Sequence, residues 1–176
     1  MKVLRRILET LGCVCSSAFN GVEGVTQFSQ QFQPPYTNTF DIVASDLEMP
    51  LMNGLEAIRT IRSMEVKARA QADMHGNSQQ HSNESNQSAL SSPSSSPSPS
   101  PSPPPSVMPL HSNPPAPCYM LCISGNVRAE FVDAARECGA DEYVGKPVSK
   151  DSLRAAITAA RKKQQHWHEA QNNGTH

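Results

Sequence analysis

The sequence lacks several features that mark whole classes of protein. Only 5% of its 176 residues are aromatic and 37% are hydrophobic, a smaller apolar share than globular domains usually have. Fifteen lysine and arginine residues stand against 16 acidic residues, so no basic excess predicts a nucleic-acid partner. No window approaches the roughly 18 consecutive apolar residues that a membrane span needs. The sequence therefore predicts neither a membrane segment nor obligate nucleic-acid binding.

Cysteine is present in an odd number, which does not suit a disulfide framework. The five are Cys13, Cys15, Cys118, Cys122 and Cys138. Cys13 and Cys15 form a Cys-x-Cys pair, but no histidine or cysteine follows them at zinc-binding spacing. We therefore expect buried free thiols and a reducing compartment, the cytoplasm or the nucleus.

The apolar deficit is confined to one tract. Residues 77–117 contain eleven of the 15 prolines and most of the serines. Alternating Ser-Pro favours solvated polyproline II and cannot bury enough apolar surface to order the chain. The sequence thus predicts one domain in two parts, residues 1–63 and 118–163. They are separated by a disordered Ser/Pro-rich insertion at 64–117 and followed by a polar tail at 164–176.

Outside the tract, helical and strand-like segments alternate strictly. We predict helices around Leu4–Leu11, from Asn20-Gly21, after Gly54, over Asn126–Cys138 and from Ser149, becoming frayed after Arg161. Strands are predicted at Cys13–Ala18, Phe40–Ala44, Tyr119–Ile123 and Tyr143–Val144. Such alternation indicates an α/β fold with a doubly wound parallel sheet, whose chemistry belongs at the carboxyl ends of the strands.

Three polar residues stand at those strand ends, namely Asp46, Ser124 and Lys146. A carboxylate can act as a nucleophile and metal ligand, while a hydroxyl and an ammonium can bind phosphoryl oxygens. Each residue alone has a plain structural explanation, as a turn cap, a turn residue or a solvated lysine. Their joint placement at one edge predicts a phosphoryl site.

The segments FDIVASDLEMPLMNG, CISG and CGADEYVGKP resemble the receiver domain of response regulators and hybrid histidine kinases. The resemblance implies a flavodoxin-like fold in which Asp46 is the phosphoacceptor, followed by a Met-Pro-x-Met-x-Gly loop. It also implies that Lys146 is the active-site lysine, that Ser124 and Tyr143 are the switch residues, and that the Lys146–Pro147 bond is cis. The domain would be a phosphoacceptor and not an enzyme, with a histidine kinase or a histidine phosphotransfer protein as its partner.

The chain also departs from the family pattern. Receivers begin with a central strand that ends in two acidic residues, which bind Mg²⁺; this strand and its acidic pair are absent. The metal ligands left are the Asp46 carboxylate and the Glu48 backbone carbonyl, so the fold is expected to be incomplete at its N-terminus. Either the sequence starts inside a longer protein, such as a hybrid kinase, or the receiver is degenerate, and we favour the first.

Three functions are thus open. The first is a phosphorelay receiver that takes a phosphoryl group on Asp46 and changes the surface around residues 126–138. The second is a phosphorylation-incompetent pseudo-receiver that binds protein partners. The third, a haloacid-dehalogenase phosphatase, requires a second aspartate two residues after the nucleophile, where this sequence has Glu48.

Overall fold

The computed structural model describes residues 2–33, 39–76 and 116–173. Of the predicted insertion at 64–117, residues 77–115 lie outside the described residues. The helices and strands of the described residues are α1 (Lys2–Thr10), α2 (Gly21–Ser29) with a 3₁₀ turn at Gln30–Phe32, β1 (Ile42–Asp46), α3 (Gly54–Gly76), β2 (Tyr119–Ser124), α4 (Ala129–Glu137), β3 (Glu142–Gly145) and α5 (Lys150–Asn173). The chain divides into two compact units, Met1–Ala68 with Pro115–His176, and Arg69–Pro114.

The sheet of the first unit has three parallel strands in the order β1-β2-β3. Its central strand, β2, is buried along its whole length, as expected for a parallel sheet with both faces covered. Asp46 pairs with Ile123, and Ser124 pairs with Gly145, so the strands end at nearly the same level. The predicted doubly wound α/β class is confirmed.

Each face of the sheet supports its own apolar core, because alternate β2 side chains point to opposite faces. Met120 and Cys122 pack with residues of α2 and α3, which include Phe28, Ile58 and Ile61. Leu121 and Ile123 pack with Leu153 and Ala156 of α5 and with the apolar stripe of α1. All five cysteines are free, and Cys118, Cys122 and Cys138 are buried, whereas Cys13 and Cys15 are only partly covered.

Asparagine caps start two of the helices. The Asn20 side chain accepts a hydrogen bond from the Glu23 N–H at 2.9 Å, and the Glu23 carboxylate accepts one from the Phe19 N–H at 2.9 Å. Before α3 the pairing is reciprocal, because Asn53 accepts from the Glu56 N–H at 2.9 Å and the Glu56 carboxylate accepts from the Asn53 N–H at 3.2 Å. These capping boxes satisfy orphan N–H groups of the first turn, and Asn20-Gly21 opens a helix as predicted.

The predicted strand at Cys13–Ala18 is wrong, because this segment is irregular and Val14 is fully exposed. A strand needs a neighbour to accept its backbone hydrogen bonds. Among the described residues β1 is an edge of the sheet, and nothing pairs with the side facing away from β2. The apolar alternation of residues 13–18 therefore has no ladder to join.

Two helices run further than the sequence indicated. α3 continues to Gly76 and α5 continues to Asn173, so the boundaries predicted at residues 63/64 and 163/164 fall inside helices. The extension of α3 contains three Ala and two Met with single Glu, Lys, Arg and Gln residues, and that of α5 contains three Gln with one Ala and one Glu; all of these residues favour helix. In α5, Lys163 and Gln164 also bind Asp141 and Asp41, which fixes this part of the helix to the sheet.

Candidate functional site

Asp46 closes β1 at the carboxyl edge of the sheet. One carboxylate oxygen, Oδ2, accepts a hydrogen bond from the Lys146 ammonium at 2.5 Å, and the other, Oδ1, accepts one from the Glu48 N–H at 3.3 Å. The Asp46 side chain is 21% exposed, so solvent and a phosphodonor can reach it. Two residues 100 positions apart in sequence therefore meet as an ion pair at the predicted edge.

Lys146 follows the last residue of β3, and its N–H donates to the Ser124 carbonyl at 2.8 Å. The Lys146–Pro147 peptide bond is cis, as the sequence resemblance implied. The lysine side chain is 45% exposed. Ion pairs with such an exposed partner contribute little to stability.

Ser124 is not bonded to Asp46. Its side chain is almost fully buried, and its Oγ accepts a hydrogen bond from the Asn126 N–H at 3.0 Å. Tyr143 donates its hydroxyl hydrogen bond to the carbonyl oxygen of the same residue, Asn126. The two predicted switch residues thus hold one loop residue at both its backbone groups. Asn126 contacts the two switch residues only through its backbone groups, so the identity of its side chain could not have predicted this role from the sequence.

The loop after Asp46 depends on close backbone packing. The Met52 N–H donates to the Pro50 carbonyl at 2.8 Å, which forms a γ-turn around Leu51 with φ of 67°. A Cβ atom on Gly54 would lie 2.2 Å from the Asp46 carbonyl oxygen. Only glycine lets α3 start this close to the end of β1, which accounts for the Met-Pro-x-Met-x-Gly pattern.

The buried thiol of Cys122 in β2 lies near enough to Asp46 to be affected by its negative charge. Burial, and secondarily the negative charge of Asp46, raise the pKa of Cys122 to about 11. Cys122 therefore stays a neutral thiol near neutral pH and is not a nucleophile there. The carboxylate that contacts Lys146 at this edge is that of Asp46.

The residues present do not by themselves form a Mg²⁺ site. The described residues contain no group of three or more His, Cys, Asp or Glu side chains that could hold a metal ion. Asp41 binds Gln164, and Asp141 binds Arg62 and Lys163, so neither carboxylate serves this edge. Asp46 and the exposed Glu48 are the carboxylates that remain at this edge, and one or two carboxylates hold Mg²⁺ only when waters and phosphate oxygens complete its octahedral shell.

Comparison with known proteins bears on the fold. No family model matches the chain. A response regulator receiver domain protein from Clostridium thermocellum superimposes with a TM-score of 0.58 at 17% identity, covering 94% of this chain and 88% of that one. A receiver domain protein from Methanospirillum hungatei gives a TM-score of 0.56 at 14% identity, with 94% and 87% covered. The chain has a receiver fold.

Two further likenesses point to the same fold. The receiver domain of a sensor histidine kinase from Pseudomonas aeruginosa, solved with magnesium in its active-site cleft, gives a TM-score of 0.53 at 14% identity, with 90% and 84% covered. A probable histidine kinase 5 from rice (Oryza sativa subsp. japonica) is 25% identical over 157 residues. The match covers 85% of this chain and 10% of the kinase, so the chain spans about a tenth of the length of that relative. No helix among the described residues has the length and apolarity of a membrane span.

Proposed function

We propose that the chain is the receiver module of a phosphorelay, which accepts a phosphoryl group on Asp46 from a phosphohistidine of a histidine kinase or phosphotransfer protein. The observation that carries the proposal is the contact between Asp46 and Lys146 at the carboxyl edge of a receiver fold. A partly exposed carboxylate nucleophile beside a half-exposed cation is the arrangement that phosphoryl transfer needs.

In the proposed reaction, a carboxylate oxygen of Asp46 attacks the phosphorus of the phosphohistidine. The new P–O bond forms as the P–N bond breaks, and the imidazole nitrogen keeps the electron pair and takes up a proton. The Lys146 ammonium then moves from Asp46 Oδ2 to an oxygen of the phosphoryl group, where it offsets part of the added negative charge.

The switch would pass through Ser124. A hydroxyl accepts and also donates hydrogen bonds, so Ser124 can donate to a phosphoryl oxygen on Asp46. Turning toward that oxygen would break its bond to the Asn126 N–H and free the loop that Tyr143 holds from the other side. The surface around α4 would change as a result, which makes this surface the proposed output.

The alternative is a pseudo-receiver that binds partners without being phosphorylated. The observation that favours it is the poor metal site, because the described residues place only Asp46 and Glu48 within reach. Charge that develops on a transferring phosphoryl group is usually offset by metal ions. With that compensation missing, the 176-residue chain should react slowly with small phosphodonors.

The two functions are separated by incubation with acetyl phosphate and Mg²⁺, followed by the mass of the intact protein. We expect little modification of the 176-residue chain. The same chain extended at its amino end by a strand ending in two acidic residues should gain one phosphoryl group. Asp46→Asn should abolish this gain, and Asp41→Asn should not. A modified Asp46→Asn variant would refute the assignment, and an unreactive extended chain would favour the pseudo-receiver.

A further inference from the structure

At the amino end of the sheet, two side chains of α3 hold the residue that precedes β2. Glu65 Oε1 accepts the Cys118 N–H at 2.8 Å, and Arg62 Nη1 donates to the Cys118 carbonyl oxygen at 3.0 Å. Arg62 Nη1 also binds Glu65 Oε2 at 2.7 Å, which closes a ring of hydrogen bonds. Both backbone groups of Cys118 are therefore held by residues more than 50 positions earlier in sequence.

The Arg62 guanidinium extends this network to the start of β3. Its Nε donates to the Gly139 carbonyl oxygen at 2.9 Å, and its Nη2 donates to Asp141 Oδ2 at 2.6 Å. Asp141 Oδ2 in turn accepts the Met120 N–H at 2.8 Å. Gly139 makes room for the arginine, because a Cβ there would lie 2.8 Å from Arg62 Cγ. One side chain thus links α3, β2 and the turn before β3.

The network is buried and its charges are paired. Glu65 is 8% exposed and Cys118 is 1% exposed, while the Arg62 side chain is 20% exposed. Loss of one partner from such a group leaves an uncompensated charge or an unsatisfied N–H. The network also joins the two sides of the long connection, because α3 precedes this connection and Cys118 follows it, directly before β2.

We propose that Arg62 and Glu65 form a clamp, in which their hydrogen bonds fix Cys118 to α3. The clamp keeps the start of β2 in place whatever residues lie between α3 and β2 in the sequence. The covalent connection through residues 77–117 is then not needed to position β2. Binding, modification or change of length in that connection leaves the Asp46–Lys146 pair at the other end of the sheet undisturbed. The clamp makes a long insertion compatible with a working receiver.

The test is residue-resolved amide hydrogen exchange on the full chain and on a chain that lacks Ser78–Ser112. We expect the deletion to change the exchange rates of the Cys118 and Met120 amides by less than threefold. Glu65→Ala, which removes the acceptor of the Cys118 N–H, should speed both amides at least tenfold in either chain. Glu65→Gln keeps an acceptor oxygen and should restore the Cys118 amide to within about threefold of its original rate.

Two further variants keep the test decisive. Arg62→Lys keeps the charge but loses the planar fork, so it should speed the same amides even if Glu65→Ala does not fold. Glu130→Gln removes one partner of an exposed pair with Arg128 and should leave both rates unchanged. The clamp is refuted if the deletion speeds the two amides as much as Glu65→Ala does. It is equally refuted if Glu65→Ala, or Arg62→Lys in its place, leaves them at the original rates.

Discussion

The two ends of the sheet carry their charged residues in opposite ways. At the carboxyl end, Asp46 and Lys146 form a single ion pair in which the lysine is nearly half exposed. At the amino end Glu65 is buried, and Arg62 and Asp141, about one-fifth exposed, join it in a network that shares its hydrogen bonds with backbone groups at the start of β2. An exposed pair can exchange partners at low cost, whereas a buried and satisfied network resists change. Chemistry and structural support are thus placed at opposite ends of the same strands.

The largest expected effect on stability comes from removing Arg62 from the network at the amino end of the sheet. Arg62→Ala removes the donor to Gly139, Cys118, Glu65 and Asp141 at once, and leaves two carboxylates without their guanidinium partner. We expect a loss of about 3–5 kcal/mol in the free energy of unfolding, measured by urea titration. The control, Arg128→Ala, removes an exposed arginine and should change it by less than about 0.5 kcal/mol. A loss below about 1 kcal/mol for Arg62→Ala would contradict the proposed role of the network.

The next effect concerns the backbone at the carboxyl end. Gly54→Ala places a methyl group 2.2 Å from the Asp46 carbonyl oxygen and 3.0 Å from Leu47 Cα, so α3 or β1 must shift. We expect a destabilisation of about 2–3 kcal/mol by urea unfolding, together with altered NMR shifts at Asp46. Gly24→Ala is the matched control, because its Cβ would meet only Ala18 at 3.8 Å. In helix α2 this change should be neutral or stabilising by up to about 1 kcal/mol.

The site was easier to predict than its support. Asp46 and Ser124 each end a strand and Lys146 directly follows one, so strand order and the parallel rule bring them to one edge without knowledge of the packing. Arg62 and Glu65 gave no such signal, because their partners are backbone groups of Cys118 and Gly139 far along the chain. The strand expected at Cys13–Ala18 failed for a related reason. Alternation shows that a segment can be a strand, whereas a neighbouring strand decides whether it becomes one.

A smaller effect on the free energy of unfolding should appear at alkaline pH, and it should come from Cys122 in the central strand β2. Burial raises the pKa of Cys122 from 9.0 to about 11. In the unfolded chain this thiol ionises near its ordinary pKa while the folded chain keeps it protonated, so stability falls as pH rises from about 9 to 11. At pH 10 the Cys122 thiol alone should lower the free energy of unfolding by about 1.4 kcal/mol. Cys122→Ala should reduce the slope of the profile over this range, and Cys13→Ala should not; buried Cys118, whose pKa is also raised, should carry much of the remaining slope. An unchanged slope in Cys122→Ala would show that other groups carry the effect.

The smallest effect on stability should come from Lys146, although it stands at the centre of the proposed chemistry. Lys146→Ala breaks its ion pair with Asp46, but solvent reaches both partners and screens their attraction. We therefore expect a loss below about 1 kcal/mol in urea unfolding, against the several kcal/mol expected for Arg62→Ala. Acetyl phosphate labelling of the extended chain should nevertheless fall at least tenfold, because the transferred phosphoryl group loses its cation. Lys146→Arg keeps the charge and serves as the matched variant, and it should retain more labelling than Lys146→Ala. Destabilisation as large as that of Arg62→Ala would show that the carboxyl end is also structural, and that the division between the two ends of the sheet does not hold.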